Sequence, residues 1–83
     1  MTPSVERIEE RLRDIAWGAR GAEPSDCIDE ALGRSSLMNQ TRMRFLHAID
    51  QIGWPFPTEV GAKSFADLAC IIHAELTERE NAE

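Results

Sequence analysis

Apolar residues recur at helical spacing in three separate stretches of this chain, and glycine or proline interrupts the pattern between them. Val5, Ile8, Leu12, Ile15 and Ala19 form the first stripe; Met38, Thr41, Phe45, Ala48, Ile49 and Ile52 form the second; Phe65, Leu68, Ala69, Ile72 and Leu76 form the third. Residues three and four apart share one face of a helix, so each stripe predicts an amphipathic helix with one side to bury. The fold class predicted is all-α, and 83 residues make one domain, 1–83, with a modest core.

The ends of these helices can be read from turn and capping chemistry. The first is expected over about 3–17, with Thr2 or Ser4 as cap, Pro3 in the first turn, and Gly18 and Gly21 as its stop. Glu9 and Arg13 make a favourable pair one turn apart, and Trp17, off the stripe, is expected to cover an edge of the core. Residues 20–33 read as a loop, because Pro24, Ser25, Asp26 and the glycines break the period. Ile28, Ala31 and Leu32 are expected to tuck it onto the core, with room for a turn of helix there. The second helix is expected from Ser35 or Ser36 to Gly53. Arg42 falls on its apolar side, where the stem is expected to pack while the charged end reaches out to water. Trp54 and Phe56, in Gly53-Trp54-Pro55-Phe56-Pro57, are expected to seal one end, and 57–60 to form a short turn of helix ended by Gly61. The last helix opens on Ser64-Phe65-Ala66-Asp67, a capping box in its Asp form. His73 is expected at the surface. The acidic tail, about 77–83, is expected to fray, because carboxylates oppose the negative end of a helix.

Composition limits the function classes. Charged residues are 29% of the chain, and the net charge of −6 disfavours nucleic acid and anionic membranes as partners. No apolar run is long enough to span a membrane, and Met1-Thr2-Pro3-Ser4 does not open a signal peptide; a cytoplasmic location is expected. Cys27 and Cys70 lack metal spacing and read as free thiols. Asp29 and Glu30 are adjacent but lack the surroundings of a calcium loop, so no metal site is expected. His47 and His73 lie on different helices, and no nucleophile has a base beside it. No catalytic residues are assigned, and the chain is not expected to be an enzyme.

Ser35 and Ser36 stand where the loop becomes the second helix. Either can cap that helix. A hydroxyl there also suits a phosphodiester, since unpaired N–H groups and the positive end of the helix dipole favour negative charge. The residues alone leave both roles open.

The stretch Glu30-Ala31-Leu32-Gly33-Arg34-Ser35-Ser36-Leu37-Met38 resembles the prosthetic-group site of acyl carrier proteins, which usually reads Leu-Gly-x-Asp-Ser-Leu. Leu32, Gly33, Ser36 and Leu37 match. The resemblance covers nearly the whole chain. Val5-Glu6-Arg7-Ile8-Glu9-Glu10-Arg11-Leu12 is similar to the family's first helix. Leu46 with the segment from Ile52 to Pro55 is similar to the end of its second, and Ser64 to Ala69 with Ile72 to its last. This implies a four-helix carrier bundle with three main helices and a short third helix. It also implies that Ser36 accepts 4′-phosphopantetheine from coenzyme A through a phosphopantetheinyl transferase. The thiol of that arm then holds an acyl or aminoacyl group as a thioester.

Further partners implied are a loading ligase and a downstream acyltransferase or synthase, met at a docking face of Leu37, Gln40, Met43, Arg44 and His47. Carriers of this size are usually monomers. Two departures stand out. The family's usual Asp before the serine is Ser35 here. The second helix carries Arg42 and Arg44 with only Asp50, where fatty-acid carriers present many carboxylates. That implies a specialised stand-alone carrier, in natural-product assembly, rather than a housekeeping one. The alternative is a carrier-fold protein that is never loaded and serves as a protein-interaction module.

Overall fold

Ser4 begins the first helix by accepting a hydrogen bond at Oγ from the Arg7 N–H at 3.3 Å. In the computed structural model, which describes residues 2–16, 23–32 and 38–82, α1 spans Val5–Ile15. Ser4 is thus the cap rather than Thr2. The helix is shorter than expected because Ala16 already turns to an extended conformation. Trp17, Gly18, Ala19 and Gly21 lie outside the described residues. Ile8 and Leu12 are fully buried, Val5 and Ile15 pack at the edge of the core, and Arg13 pairs with Glu9 at 3.7 Å.

Within the segment read as loop, the turn of helix expected at Ile28, Ala31 and Leu32 is present as α2, Ile28–Leu32. Three of its five residues, Ile28, Ala31 and Leu32, are buried, and Asp29 and Glu30 in its first turn suit the positive end of the dipole. Five residues cannot sustain a helix alone. Tertiary bonds hold this one: the Ile28 N–H donates to the Lys63 carbonyl at 2.9 Å, and Cys27 forms an isolated antiparallel bridge with Ser64.

The same stitching completes the start of the last helix, α4, Phe65–Asn81. Its Phe65 N–H donates to the Asp26 carbonyl, its Ala66 N–H to the Pro24 carbonyl, and its Asp67 N–H to Ser64 Oγ at 3.1 Å. Three of the donors that a helix start leaves unpaired, those of Phe65, Ala66 and Asp67, are therefore engaged here. The Ser64 cap stands as the sequence predicts.

Between them runs α3, Met38–Ile52. Phe45 and Ile49 are fully buried, while Ala48 and Ile52 are half-buried; the side chains of Met38 and Thr41 lie outside what is described. Gly53 ends the helix at φ +91°, a conformation that favours glycine. The Gly53 N–H donates to Asp50 O and the Trp54 N–H to Ile49 O, the pair of bonds that defines a Schellman motif. Trp54 packs against the core as expected, but Phe56, at 38% exposed, does not seal it. The prolines on either side keep that segment out of a regular helix.

The short turn lies later than expected. It is a 3-10 turn, Val60–Ala62, and Gly61 is inside it rather than at its end. A Cβ on Gly61 would collide with the Asp29 carboxylate, so close approach rather than helix termination explains the glycine. Asp29 is held in place by Arg42, whose Nε and Nη2 both donate to Oδ1, at 3.0 and 2.7 Å. Arg42 keeps about 37% of its side chain exposed, as its place on the apolar side predicts, and its charged end is paired with a partner thirteen residues earlier in the chain. Gly61→Ala should cost about 1–3 kcal/mol, the usual penalty for overfilling a packed site. Urea unfolding checks this, and an unchanged midpoint would show that Asp29 moves aside freely.

α1 lies along α4, and α2 bridges α3 and the 3-10 turn. Among the described residues the elements are four helices and this turn, with no strand, so the all-α class stands. The tail differs from expectation. α4 continues to Asn81, and Glu80 accepts a hydrogen bond from the Thr2 hydroxyl. His73 is half-buried rather than at the surface, because its Nδ1–H donates to the Pro3 carbonyl at 3.0 Å.

The Thr2 hydroxyl, with a smaller effect of the N-terminal ammonium, holds the Glu80 carboxyl below its ordinary range. A lowered folded value means that the contribution is present above the unfolded pKa and is lost as pH falls through the folded one. Thr2→Val should raise the Glu80 value, read by NMR titration of its carboxyl carbon. An identical titration curve would show that the hydroxyl bond is not what lowers it.

Candidate functional site

Two features of α3 frame the candidate site: what precedes it in the chain and what its outward face presents. The segment before it leaves α2 at Leu32, which is fully buried and so ties that end of the connection to the core. Gly33, Ser35, Ser36 and Leu37, among them the expected attachment serine and one residue of the expected docking face, lie outside the described residues. α3 itself begins two positions after Ser36, at Met38, and its first turn carries no acidic side chain. The positive end of its dipole is therefore not offset by a carboxylate of its own.

Gln40, Met43, Arg44 and His47 follow one another at three- and four-residue steps along α3, and all four are exposed. Met43, at 68%, is the most exposed large apolar side chain among the described residues. Phe45 and Ile49 take the opposite side into the core. The exposed face thus combines an apolar thioether, an amide, an imidazole and a guanidinium on a chain whose net charge is −6. Arg42 does not belong to this face, because Asp29 holds it on the side toward α2.

That ion pair marks a feature that spacing along the chain could not reveal. A groove of about 410 Å³ lies between α2, α3 and the 3-10 turn, with Ile28, Leu46 and Val60 as its apolar lining and Asp29, Arg42 and Glu59 as its charged one. The signal available in the sequence was Arg42 itself, a charge on the apolar side of the wheel, together with the unexplained Asp29-Glu30 pair.

Other chemistry does not converge. His47 is exposed on α3, while His73 bonds the Pro3 carbonyl. Cys27 donates weakly from Sγ to the Gly61 carbonyl at 3.2 Å, and Cys70 is exposed; both are free thiols. Among the described residues no cluster of His, Cys, Asp or Glu is arranged to hold a metal ion, and no helix is long and apolar enough to cross a membrane. No protein-family model matches this chain, and no curated protein and no solved structure matches it.

Proposed function

We propose that this chain is a stand-alone acyl carrier protein with an acyl-carrier-like helical bundle. Ser36 accepts 4′-phosphopantetheine from coenzyme A, and the arm's thiol carries an acyl or aminoacyl group to partner enzymes of specialised metabolism. What supports this reading is the sequence Leu32-Gly33-x-x-Ser36-Leu37, which in chain order starts at the buried last residue of α2 and ends one residue before α3 begins. The first turn of α3 carries no acidic side chain, so the positive end of its dipole is not offset there. The short 3-10 turn between α3 and α4 stands where the family resemblance expects a short third helix.

In this reading the protein makes no bonds itself. The arm, when attached, supplies the thiol. The chain's own residues hold α3 on the core through Phe45 and Ile49 and present Leu37, Gln40, Met43, Arg44 and His47 to partners. Arg44 on that face favours partners with acidic docking surfaces, since charges at an interface rim govern encounter rate and reject wrong partners. A ligase loads the thiol and an acyltransferase or synthase unloads it.

The test is intact mass after incubation with coenzyme A, magnesium and a broad-specificity phosphopantetheinyl transferase. A gain of one phosphopantetheine is expected. No gain with several transferases, in protein shown to be folded, would favour the unloaded interaction module, whose support is Ser35 in place of the family's Asp.

A further inference from the structure

Three segments meet at Asp29. It belongs to the first turn of α2, its carboxylate lies against Gly61 of the 3-10 turn, and Arg42 of α3 donates to its Oδ1 from both Nε and Nη2. The start of α2 has ties of its own, from the Ile28 N–H to the Lys63 carbonyl and from Cys27 Sγ to the Gly61 carbonyl. Both of these run to the segment ahead of α4. Toward α3 the polar tie is the one from Asp29 to Arg42. A helix of five residues does not persist alone, so the place of its last residue, Leu32, depends on these ties and on the core.

The same pair brackets the proposed acceptor in the chain. Ser36 comes seven residues after Asp29 and six before Arg42. α2 runs from Ile28 to Leu32 and α3 begins at Met38, so the pair closes a ring in which residues 33–37 join the two helices. Fixing the two ends of a connection removes conformations that it could otherwise take. With each side chain about 37% exposed, the pair is screened by water, and Phe45, Ile49 and Leu68 stay buried without it. It can therefore set local geometry without carrying the fold.

We propose that Asp29 and Arg42 are positioning residues for phosphopantetheinylation of Ser36: by pinning α2 to α3 they fix both ends of the acceptor segment before the transferase arrives. The proposal rests on the carrier reading. In the transfer, the Ser36 oxygen bonds to the pantetheine-side phosphorus of coenzyme A. The bond from that phosphorus to the bridging oxygen breaks, and adenosine 3′,5′-bisphosphate leaves with that oxygen. The hydroxyl proton passes to a base of the transferase or to water. Asp29 and Arg42 take no part in these bonds. They lower the ordering cost of the encounter, which is read in KM rather than in kcat.

The test measures transferase kinetics by intact mass on wild type, Asp29→Asn, Arg42→Met and the double variant. Asp29→Asn keeps the shape of the side chain, and Arg42→Met keeps an apolar stem. Each single variant should raise the KM for this protein roughly two- to fivefold, the scale of one half-exposed ion pair, with kcat unchanged. The double variant should be no worse than either, because both changes remove one contact. Arg42→Lys, which keeps the charge and a donor, should recover most of the loss. A loss in Arg42→Met with none in Asp29→Asn would place Arg42 in direct contact with the transferase and overturn the proposal. Amide hydrogen exchange of the unmodified protein is the second readout. Exchange at Ala31, whose N–H donates to the Cys27 carbonyl, should quicken in both single variants while that at Phe45 stays as in the wild type. Equal quickening at both residues would show a loss of global stability and would also overturn it. The two readings fail separately. If the wild type takes no arm, the carrier reading falls; if all variants take it with one KM, only the positioning role falls.

Discussion

Phe45→Ala should remove about 3–5 kcal/mol of folding stability, the usual cost of truncating a buried phenylalanine. Among the described residues, Phe45 and Phe65 are the largest fully buried side chains, and their rings meet edge to face with centroids 6.2 Å apart and planes at 81°. That geometry aligns the positive edge of one ring with the negative face of the other. It also joins α3 to the first residue of α4, the point where Asp26 and Pro24 stitch the early loop to the helix. One truncation therefore loosens three segments together. For 83 residues the total stability is on the order of 4–12 kcal/mol, so the loss is a large share of it. The melting temperature should fall by at least about 12 °C. Met43→Ala is the control: at 68% exposure its effect should stay within about 0.5 kcal/mol. Comparable losses from the two variants would mean that the assigned core does not carry the fold.

The parts of this fold that could be read from the chain are those set by local chemistry. The stripes through Ile8 and Leu12, through Phe45 and Ile49, and from Phe65 to Ile72 are period arguments, and burial follows them. Ser64 caps α4 because the partner N–H is three residues away. Several of the features missed depend on partners far along the chain. α2 is too short to show a period and is held by Lys63. Arg42 is explained only by Asp29, and His73 by Pro3, seventy positions earlier. The helical tail, expected to fray, bears a bond from Thr2 to Glu80. Phe56 was misplaced because hydrophobicity alone does not say which of two neighbouring aromatics the chain can turn inward. In the candidate site, the common face of Gln40, Met43, Arg44 and His47 follows from helical spacing, and their exposure follows from Phe45 holding the opposite face inside. The groove was not legible, since α2, α3 and the 3-10 turn each contribute to it.

Ser36→Ala should abolish phosphopantetheinylation altogether, leaving one intact mass before and after transferase treatment. The argument is chemical: the proposed phosphodiester forms at a hydroxyl, and alanine offers none. Ser35 is the internal rival, because it also presents a hydroxyl one position earlier. Ser35→Ala should therefore still gain one arm, and Ser35→Asp should gain it faster, since it restores the carboxylate that the resembled site usually has. These variants also separate capping from modification. If Ser36 served only as a helix cap, Ser36→Ala would lower stability by about 0.5–2 kcal/mol and change no mass shift. If it is the acceptor, Ser36→Gly, which retains most capping value, loses the arm as completely as Ser36→Ala while its urea midpoint stays close to that of the wild type. An arm still attached to Ser36→Ala but absent from Ser35→Ala would move the acceptor to Ser35 and shift the match to the carrier motif by one residue.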